Sequence, residues 1–235
     1  MQLKTIHTLK ATLVLQTGLH IGAGDSEMHI GGTDNPVIKH PHTKVPYIPG
    51  SSLKGKIRSL LEWRSGMVQE KPLGIADWKQ AKDGQKSLVL AILRLFGVSG
   101  GDQLDVETAK HIGPTRLAFW DCSLQPSWVD EVGESQMLTE VKSENVINRI
   151  TGTAQHPRQT ERVPAGARFD FRLSLKSLDQ DDPHLLQTVL AGLRLLECDS
   201  LGGGGSRGNG KVVFEDLTLD GKPSELPTDP FTLEE

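Results

Sequence analysis

The sequence has 235 residues, a formal net charge of −4, 36% hydrophobic residues and 24% charged residues, a composition typical of a globular chain with a sizeable core. The longest apolar run, residues 88–93, is far shorter than the roughly 20 residues of a membrane-spanning helix, so no membrane partner is expected. Two distant cysteines form neither a disulfide framework nor a zinc ligand set, and no secretory signal is evident, which favours a cytoplasmic location.

The acidic net charge conceals two basic segments. Residues 215–235 carry seven acidic side chains against one lysine, so the rest of the chain is weakly basic. Residues 39–64 hold six basic side chains against one acidic side chain, and residues 142–172 hold six against three. Such clusters can contact phosphate groups, although charge runs are more often solvated surfaces.

Hydrophobic periodicity predicts an α+β chain. Strands are predicted at residues 9–15, 115–124, 167–175 and 211–219. Helices are predicted at residues 51–62, where a serine N-cap follows Pro-Gly, at 87–96, and from the Asp-Pro pair at 182–183 to 196, with loop or weak helix at 66–86. This order suits an RRM-like or ferredoxin-like sheet with helices on one face. We expect a single domain over residues 1–221 with large insertions, followed by a loosely held acidic tail at 222–235.

The first predicted helix places two basic side chains on one flank. At about 100° per residue, Lys54 and Arg58 lie one turn apart beside Ser51, and Gly55 leaves room for a close approach. Farther along, residues 135–166 form a long polar segment without a sustained hydrophobic face. In a compact domain such a segment is usually functional or disordered.

The sharpest local pattern is a glycine loop, with six glycines among residues 202–210. Packing does not explain so many glycines, because each loses backbone entropy on ordering; instead they permit positive φ and let backbone N–H groups approach a ligand. A phosphate backbone would suit the loop, with Arg207 and Lys211 supplying charge. The Walker pattern is excluded, since Val212 replaces the Ser or Thr that binds magnesium and the loop precedes a strand. A flexible linker is an equally good interpretation.

Asp34 lies between two glycines and a proline, which predicts an exposed carboxylate on a shaped loop. Such a carboxylate could bind a metal ion or act as a base, although an Asx-turn is the more common role for an isolated Asp-Asn-Pro. His20 and His29 flank this loop and could supply acid–base chemistry. The pair His40 and His42 lacks further ligands at metal spacing, and no hydroxyl or thiol is paired with His and Asp, so neither a zinc site nor nucleophilic hydrolysis is predicted.

Several motifs occur together in a fixed order. They are Gly-Gly-Thr-Asp-Asn-Pro-Val-Ile at 31–38, Pro-Gly-Ser-Ser-Leu-Lys-Gly-Lys-Ile-Arg at 49–58, Leu-Phe-Gly at 95–97, Thr-Glu-Val-Lys-x-Glu-Asn-x-Ile-x-Arg at 139–149, Pro-Arg-Gln-Thr-Glu-Arg-Val-Pro at 157–164, and the glycine loop. In combination, order and spacing they resemble, from about residue 9 to residue 219, the repeated backbone subunit of type III-A CRISPR Csm effector complexes, a group within the RAMP superfamily.

This resemblance implies an RRM-like palm with a thumb hairpin at about 135–166, whose tip lies near residues 154–158. Copies of the subunit are expected to stack as a filament along a guide RNA, and the thumb to interrupt the guide–target duplex at regular intervals. The expected partners are therefore guide RNA, complementary target RNA, other copies of the chain, and the remaining type III subunits: the large polymerase/cyclase-like subunit, the small subunit and the end-capping RAMP subunits.

The resemblance also implies roles for individual residues. Asp34 matches the residue that serves metal-dependent cleavage of target RNA, so it is the predicted catalytic and metal-binding residue, with Mg²⁺ or Mn²⁺ as cofactor. Guide contacts are assigned to Ser51, Lys54, Arg58, Gly204, Gly205, Ser206 and Arg207. RNA contacts beside the thumb are assigned to Lys142, Asn145, Arg149 and Arg158. The cysteines and histidines that suggest a zinc site in some relatives are missing from this sequence, and the acidic tail lies outside the pattern.

We therefore predict a guide-RNA-binding filament subunit that cleaves complementary target RNA. Phosphate contacts carry no base information, so the guide supplies the specificity. A target nucleotide splayed by the thumb would free its 2′-OH for in-line attack on the adjacent phosphate. Two alternatives stay open: a scaffold with an inert Asp34, and a RAMP-type ribonuclease that processes guide precursors through His20 or His29 without metal.

Overall fold

The computed structural model describes residues 1–24, 35–98, 105–132 and 138–232. Its strands are β1 (Leu3–Leu15), β2 (Tyr47–Ile48), β3 (Leu117–Phe119), β4 (Cys122–Ser123), β5 (Glu140–Ile147), β6 (Ala154–Arg162), β7 (Arg168–Leu178), β8 (Val212–Leu219) and β9 (Lys222–Pro223). Its helices are α1 (Gly50–Ser65), α2 (Ile75–Gln80), α3 (Asp83–Phe96), α4 (Val106–Ile112), α5 (Pro126–Val132) and α6 (His184–Cys198). None of these helices combines the length and the apolar composition that a membrane crossing requires.

The central element is an antiparallel sheet with the strand order β3-β7-β1-β8-β9. Along the chain, β1, α1, β3, β7, α6 and β8 follow the β-α-β-β-α-β order of a ferredoxin-like fold, and β1 lies between β7 and β8 as that fold requires. The predicted α+β, RRM-like class is therefore confirmed.

One face of this sheet is apolar because its strands alternate. Leu9 and Leu13 on β1, and Phe169, Phe171 and Leu173 on β7, are buried in a core that also includes the inner faces of α1 and α6. Full burial of each such side chain contributes roughly 1.5–3 kcal/mol. Most of the intervening residues of the same strands, among them Lys10, Thr12, Asp170 and Arg172, are polar and face the opposite side, where they are more exposed.

The strand predicted at 115–124 is divided between two sheets. Its first part is β3, which pairs with β7, and its last part is β4, which pairs with β2. The break occurs where α1 packs on the strand, since a Cβ on Gly50 would lie 2.5 Å from the Phe119 carbonyl oxygen. Asp121 then turns to accept a hydrogen bond from the Gly50 amide at 2.8 Å. The predicted serine N-cap of α1 is thus wrong, because Pro49 occupies that position and Asp121 caps the helix from outside.

Three short helices were not predicted as such. The stretch predicted as loop or weak helix at 66–86 contains α2 and the start of α3, and α4 and α5 have seven residues each. Segments of about two turns are too short for hydrophobic periodicity to identify. Asp105, however, caps α4 by accepting a hydrogen bond from the Thr108 amide at 2.7 Å, which is a recognisable N-cap pattern.

The acidic tail is held against the domain over residues 222–232, so the expectation of a loose tail is wrong for this part. Strand β9 pairs with β8, and Leu226 packs against the core. Two arginines of the helices anchor the rest of the tail: Arg194 donates to the Pro227 carbonyl at 2.9 Å and Arg64 donates to the Phe231 carbonyl at 3.1 Å. The tail therefore forms part of the folded domain.

Candidate nucleic-acid interface

A two-stranded hairpin made of β5 and β6 extends from the domain, where the thumb was predicted. Its turn is residues 148–153, and the Asn148 side chain nucleates it by accepting hydrogen bonds from the amides of Ile150 and Thr151 at 2.9 and 3.1 Å. The predicted tip at 154–158 is therefore several residues too late. Those residues lie in β6, because an Asx-turn at Asn148 closes the hairpin earlier.

Three of the four predicted RNA contacts on this hairpin, Asn145, Arg149 and Arg158, are exposed. Asn145 lies at a bulge, where the pairing register shifts between Glu144 and Val146, and Arg158 is the pairing partner of Glu144 on β6. Arg149 lies in the turn, where it donates to the Ile147 carbonyl at 3.0 Å. Their exposure is compatible with RNA contact, which stays a prediction for all three.

The glycine loop, residues 202–210, is ordered by contacts with the segment that follows β1. Gly203 donates to the His20 carbonyl at 2.8 Å and Gly210 donates to the Gly18 carbonyl at 2.9 Å. A Cβ on Gly202 would lie 2.3 Å from the His20 oxygen, and one on Gly210 would lie 1.9 Å from the Leu201 oxygen. Both glycines also have positive φ. The expectation that packing plays no part in this loop is therefore wrong, and the flexible-linker interpretation fails as well.

The exposed tip of the loop retains the properties predicted for phosphate binding. Residues 205–207 form a 3-10 turn, which begins after Gly204 at a φ of 75°. In the part of the chain that the structure describes, the amides of Gly204, Gly205 and Ser206 meet no acceptor. Three successive amides around a left-handed residue form a concave group of donors of the kind that binds anions.

The hairpin base and the glycine loop meet at a cluster of three charged side chains. Lys142 donates to the Arg207 carbonyl at 2.6 Å and lies 3.2 Å from Glu144, while Arg207 Nε lies 2.8 Å from the same carboxylate. Hydrogen bonds from Lys142, and then from Arg207, lower the pKa of Glu144 below its usual value. The carboxylate is therefore ionised near neutral pH, and the cluster keeps one net positive charge. The structure thus brings together two of the predicted RNA contacts, Lys142 and Arg207.

Asn209 is a second link between loop and hairpin that sequence reasoning missed. Its side chain is buried, accepts a hydrogen bond from Arg162 at 3.0 Å, and donates to the Gly203 carbonyl at 3.4 Å. Arg162 in turn lies 2.7 Å from Glu140 on β5. The signal that could have identified Asn209 is its place as a polar residue between two glycines of the loop, since buried amides require partners.

The first turns of α1 present Ser51, Lys54 and Gly55 to solvent. Ser51 and Gly55 are exposed, and a Cβ on Gly55 would meet nothing within 4 Å. Lys54 is half-buried and forms no ion pair with any of the described residues. Lys56 lies 2.7 Å from Asp199, just before the glycine loop, so this end of α1 adjoins the loop. The predicted guide contact at Lys54 is compatible with this arrangement.

Arg58 has a structural role that argues against its predicted guide contact. Its Nε lies 2.8 Å from Glu62, and its two terminal nitrogens donate to the carbonyls of Gly97 and Leu73 at 3.0 and 2.8 Å. The side chain is only 15% exposed. Lys211, expected to add charge to the glycine loop, likewise donates its Nζ to the Glu197 carbonyl.

Substitution of Arg58 and of Lys54 on α1 should separate effects on stability from effects on RNA binding. Arg58→Ala leaves the buried Glu62 carboxylate without its ion-pair partner, so we expect the free energy of unfolding to fall by about 2–4 kcal/mol in urea titrations. Lys54→Ala should change the free energy of unfolding by less than about 0.5 kcal/mol. It should weaken guide RNA binding equally for all guide sequences, and lower by about 1 the salt slope, which is the slope of log affinity against log salt concentration. Lys54→Arg is the charge-preserving control. A stable Arg58→Ala variant with a reduced salt slope would restore Arg58 as a phosphate contact.

Asp34 lies outside the described residues, but the chain is placed on both sides of its segment. Gly22 pairs with Val37, and Asn35, the residue after Asp34, pairs with Thr160 on β6. Asn35, which directly follows the predicted catalytic residue in the sequence, is therefore placed against the hairpin.

Glu161 anchors the chain that follows Asn35. Its buried carboxylate accepts hydrogen bonds from Lys39 at 2.6 Å, from Thr139 at 2.6 Å and from the Val37 amide at 2.9 Å. Burial raises the pKa of Glu161, but these three hydrogen bonds outweigh it and bring the pKa below its usual value. Sequence reasoning quoted Glu161 only within a motif.

The described residues contain no group of three His, Cys, Asp or Glu side chains that could hold a metal ion. Glu161 follows Thr160, the pairing partner of Asn35. Its carboxylate already accepts three hydrogen bonds.

His20 occupies a structural position beneath the glycine loop. Its Nδ1 donates to the Glu161 carbonyl at 2.7 Å, because a carbonyl only accepts hydrogen bonds. His29 lies outside the described residues. Among the residues that the structure describes, the His20 ring meets no second acid or base of the kind that metal-independent precursor cleavage requires.

A comparison with family models places residues 12–213 in the RAMP superfamily. The chain belongs to the RAMP superfamily. It is 38% identical to the "CRISPR system Cms endoribonuclease Csm3" of Methanothermobacter thermautotrophicus, over 96% of this chain and 90% of that protein. It is 42% identical to the Streptococcus thermophilus protein of the same name, over 88% of this chain and 86% of that protein.

Solved structures of RAMP assemblies have the same fold. A crystal structure of the Csm3–Csm4 subcomplex of the type III-A CRISPR-Cas interference complex matches with a TM-score of 0.56 and 28% identity, over 93% of this chain and 80% of that chain. A cryo-EM structure of type III-B Cmr-beta bound to cognate target RNA matches with a TM-score of 0.58 over 91% of this chain and 60% of that chain. At 14% identity, that second match supports the fold alone.

Proposed function

We propose that this chain is a guide-RNA-binding backbone subunit of a type III CRISPR effector complex and an endoribonuclease that cleaves complementary target RNA. The observation that carries the proposal is the meeting of the glycine loop with the base of the hairpin, through Lys142, Glu144 and Arg207. The similarity to Csm3 endoribonucleases over most of the chain supports it independently.

The guide is held by its backbone in this proposal. The amides at the tip of the glycine loop bind one phosphate, and Lys142, Arg207 and Lys54 neutralise its neighbours. None of these contacts recognises a base, so any guide sequence is accepted and pairing with the target supplies specificity.

The hairpin separates the guide–target duplex at intervals. Its far end exposes the apolar side chains of Val146, Ile147 and Ile150, the last of which is 96% exposed. Apolar wedges of this kind unstack bases at a cost of a few kcal/mol per step. The contacts between protein and RNA on either side of the wedge offset this cost. A displaced target nucleotide is then free of A-form geometry beside the hairpin.

Cleavage in this proposal uses the displaced nucleotide itself. Its 2′-hydroxyl loses its proton to solvent water and the 2′-oxygen bonds to the adjacent phosphorus, while the bond from phosphorus to the 5′-oxygen breaks. The 5′-oxygen takes a proton from water, so the products are a 2′,3′-cyclic phosphate and a 5′-hydroxyl end. In this proposal the role of Asp34 is to hold the divalent ion for this step, and the Glu161 contacts fix the chain that follows Asn35. Mg²⁺ or Mn²⁺, when bound, neutralises charge on the phosphate.

The filament is tested by coupling assembly size to guide length. Purified chain mixed with guide RNAs of increasing length should sediment in increasing steps, because phosphate contacts bridge successive copies, and nuclease treatment should return it to small species. Arg207→Ala combined with Lys54→Ala should reduce both effects. A sedimentation profile that is unchanged by guide or by nuclease would contradict the filament.

A further inference from the structure

The face of the main sheet opposite the core carries a row of cationic and aromatic side chains across three strands. Lys10 on β1 is the direct pairing partner of Arg172 on β7, and Trp120 follows the end of β3 beside Arg172. The Trp120 amide donates to the Arg172 carbonyl at 3.3 Å, which fixes the row. None of these three residues belongs to the guide interface described above.

The Trp120 indole is positioned and yet open to solvent. Its Nε1 donates to Ser174 Oγ at 3.3 Å, and the Arg172 guanidinium carbon lies 5.9 Å from the ring centroid. Despite both contacts the residue is 52% exposed. A large indole held in one orientation with half of its surface in water is suited to stacking on a planar ligand.

The two cations of the row are not neutralised. Like charges directly opposite one another on neighbouring strands are destabilising. Within the described residues, neither Lys10 nor Arg172 lies within 4 Å of a carboxylate, whereas Arg168 on the same face of β7 pairs with Glu215 at 2.7 Å. Asp170, two residues from Arg172 on the same face of β7, accepts a hydrogen bond from Gln125 at 3.0 Å and forms no ion pair with the row. Two cations without an ion-pair partner beside an exposed indole indicate an anionic ligand that also has an aromatic face.

We propose that Trp120, Arg172 and Lys10 form a platform for single-stranded RNA, separate from the guide path. A base stacks on the Trp120 indole, and Arg172 and Lys10 contact the flanking phosphates. Aromatic residues on an RRM-like sheet combined with basic side chains are the general means by which proteins hold unpaired nucleic acid without reading its sequence. Hydroxyl side chains flank the row, since Thr8 on β1 pairs with Ser174 on β7.

The test uses assemblies already loaded with guide RNA, so that the guide path is filled, and a fluorescein-labelled uridine decamer that is not complementary to the guide. Trp120→Leu should weaken decamer binding by roughly 5- to 150-fold, the range for loss of one stacked base. Trp120→Phe keeps a ring and should stay within about 3-fold of the unaltered chain, while Lys10→Gln should lower the salt slope by about 1.

Trp63→Leu is the matched control, because Trp63 is 67% exposed at the far end of α1. It should leave decamer binding unchanged. Equal decamer affinity of Trp120→Leu and the unaltered chain would overturn the platform. If the Trp120→Leu assembly is also smaller than the unaltered one, the row is a contact between proteins instead. Thermal unfolding of Trp120→Leu checks that the variant is folded. Guide retention is measured on the same samples, so failure of the platform can be distinguished from failure of the proposed function.

Discussion

Asp34→Ala should abolish cleavage of complementary target RNA while guide and target binding stay intact. Removing a carboxylate from a phosphate-rich surface removes repulsion, so RNA affinity should hold or rise slightly at low salt. Cleavage, in contrast, should fall by at least roughly 10²–10³-fold, the usual effect of removing one group that stabilises developing charge. With a usual pKa of about 3.9, an aspartate carboxylate is a weak base at neutral pH, which favours metal positioning over general-base action.

Three controls sharpen this experiment. Asp34→Asn keeps the shape and a neutral oxygen but not the charge, so it should behave like the alanine variant. A chelator should stop cleavage by the unaltered assembly, and excess Mg²⁺ or Mn²⁺ should restore it. If Asp34→Ala assemblies free of contaminating nuclease cut target RNA at the original sites and rate, the catalytic role is wrong and the chain is a scaffold.

Asp181→Ala should cause a large loss of stability. Asp181 holds Arg116, whose side chain is fully buried, through contacts of 2.7–3.2 Å, and Arg116 also donates to the carbonyls of Ile112 and Pro114. Loss of the carboxylate leaves a buried charge unpaired, so the free energy of unfolding in urea should fall by about 3–5 kcal/mol.

An exposed ion pair supplies the matched control for Asp181. Arg168 and Glu215 are 37% and 45% exposed, so Arg168→Gln should lower stability by less than about 1 kcal/mol. The double variant Arg116→Met, Asp181→Leu should recover most of the loss, because it removes both charges together. A loss for Asp181→Ala as small as that for Arg168→Gln would show that Arg116 reaches water or another partner.

The same ion pair should make stability depend on pH. Burial raises the pKa of the Asp181 carboxyl, but hydrogen bonds from Arg116 and the Leu178 amide outweigh it and lower the pKa below its usual value. The stabilisation is therefore fully present above the usual pKa of about 3.9 and is lost as the pH falls through the lower, folded value. Urea titrations from pH 6 to pH 3 should show this decline, and Asp181→Asn should flatten it.

Local sequence determined the strands and helices in which buried and exposed residues repeat with the period of the backbone. Strands β1 and β7 and helices α1 and α6 were predictable because their apolar residues recur at the spacing that one buried face requires. Their order along the chain was sufficient to predict the RRM-like sheet. The hairpin was expected from the motifs, but its turn was misplaced, since one Asn side chain decides where the strands reverse.

Only the tertiary structure decided what each polar residue of the interface does. Lys54 and Arg58 are both basic and one helical turn apart, yet Arg58 meets acceptors at Glu62, Gly97 and Leu73 while Lys54 meets none in the described part of the chain. Whether a charged side chain binds RNA or holds the fold depends on which acceptors distant segments bring within about 3 Å of it. Residue type and helical period carry no information about those distant segments, so the distinction exists only once α1 is packed against the end of α3 and the segment that holds Leu73.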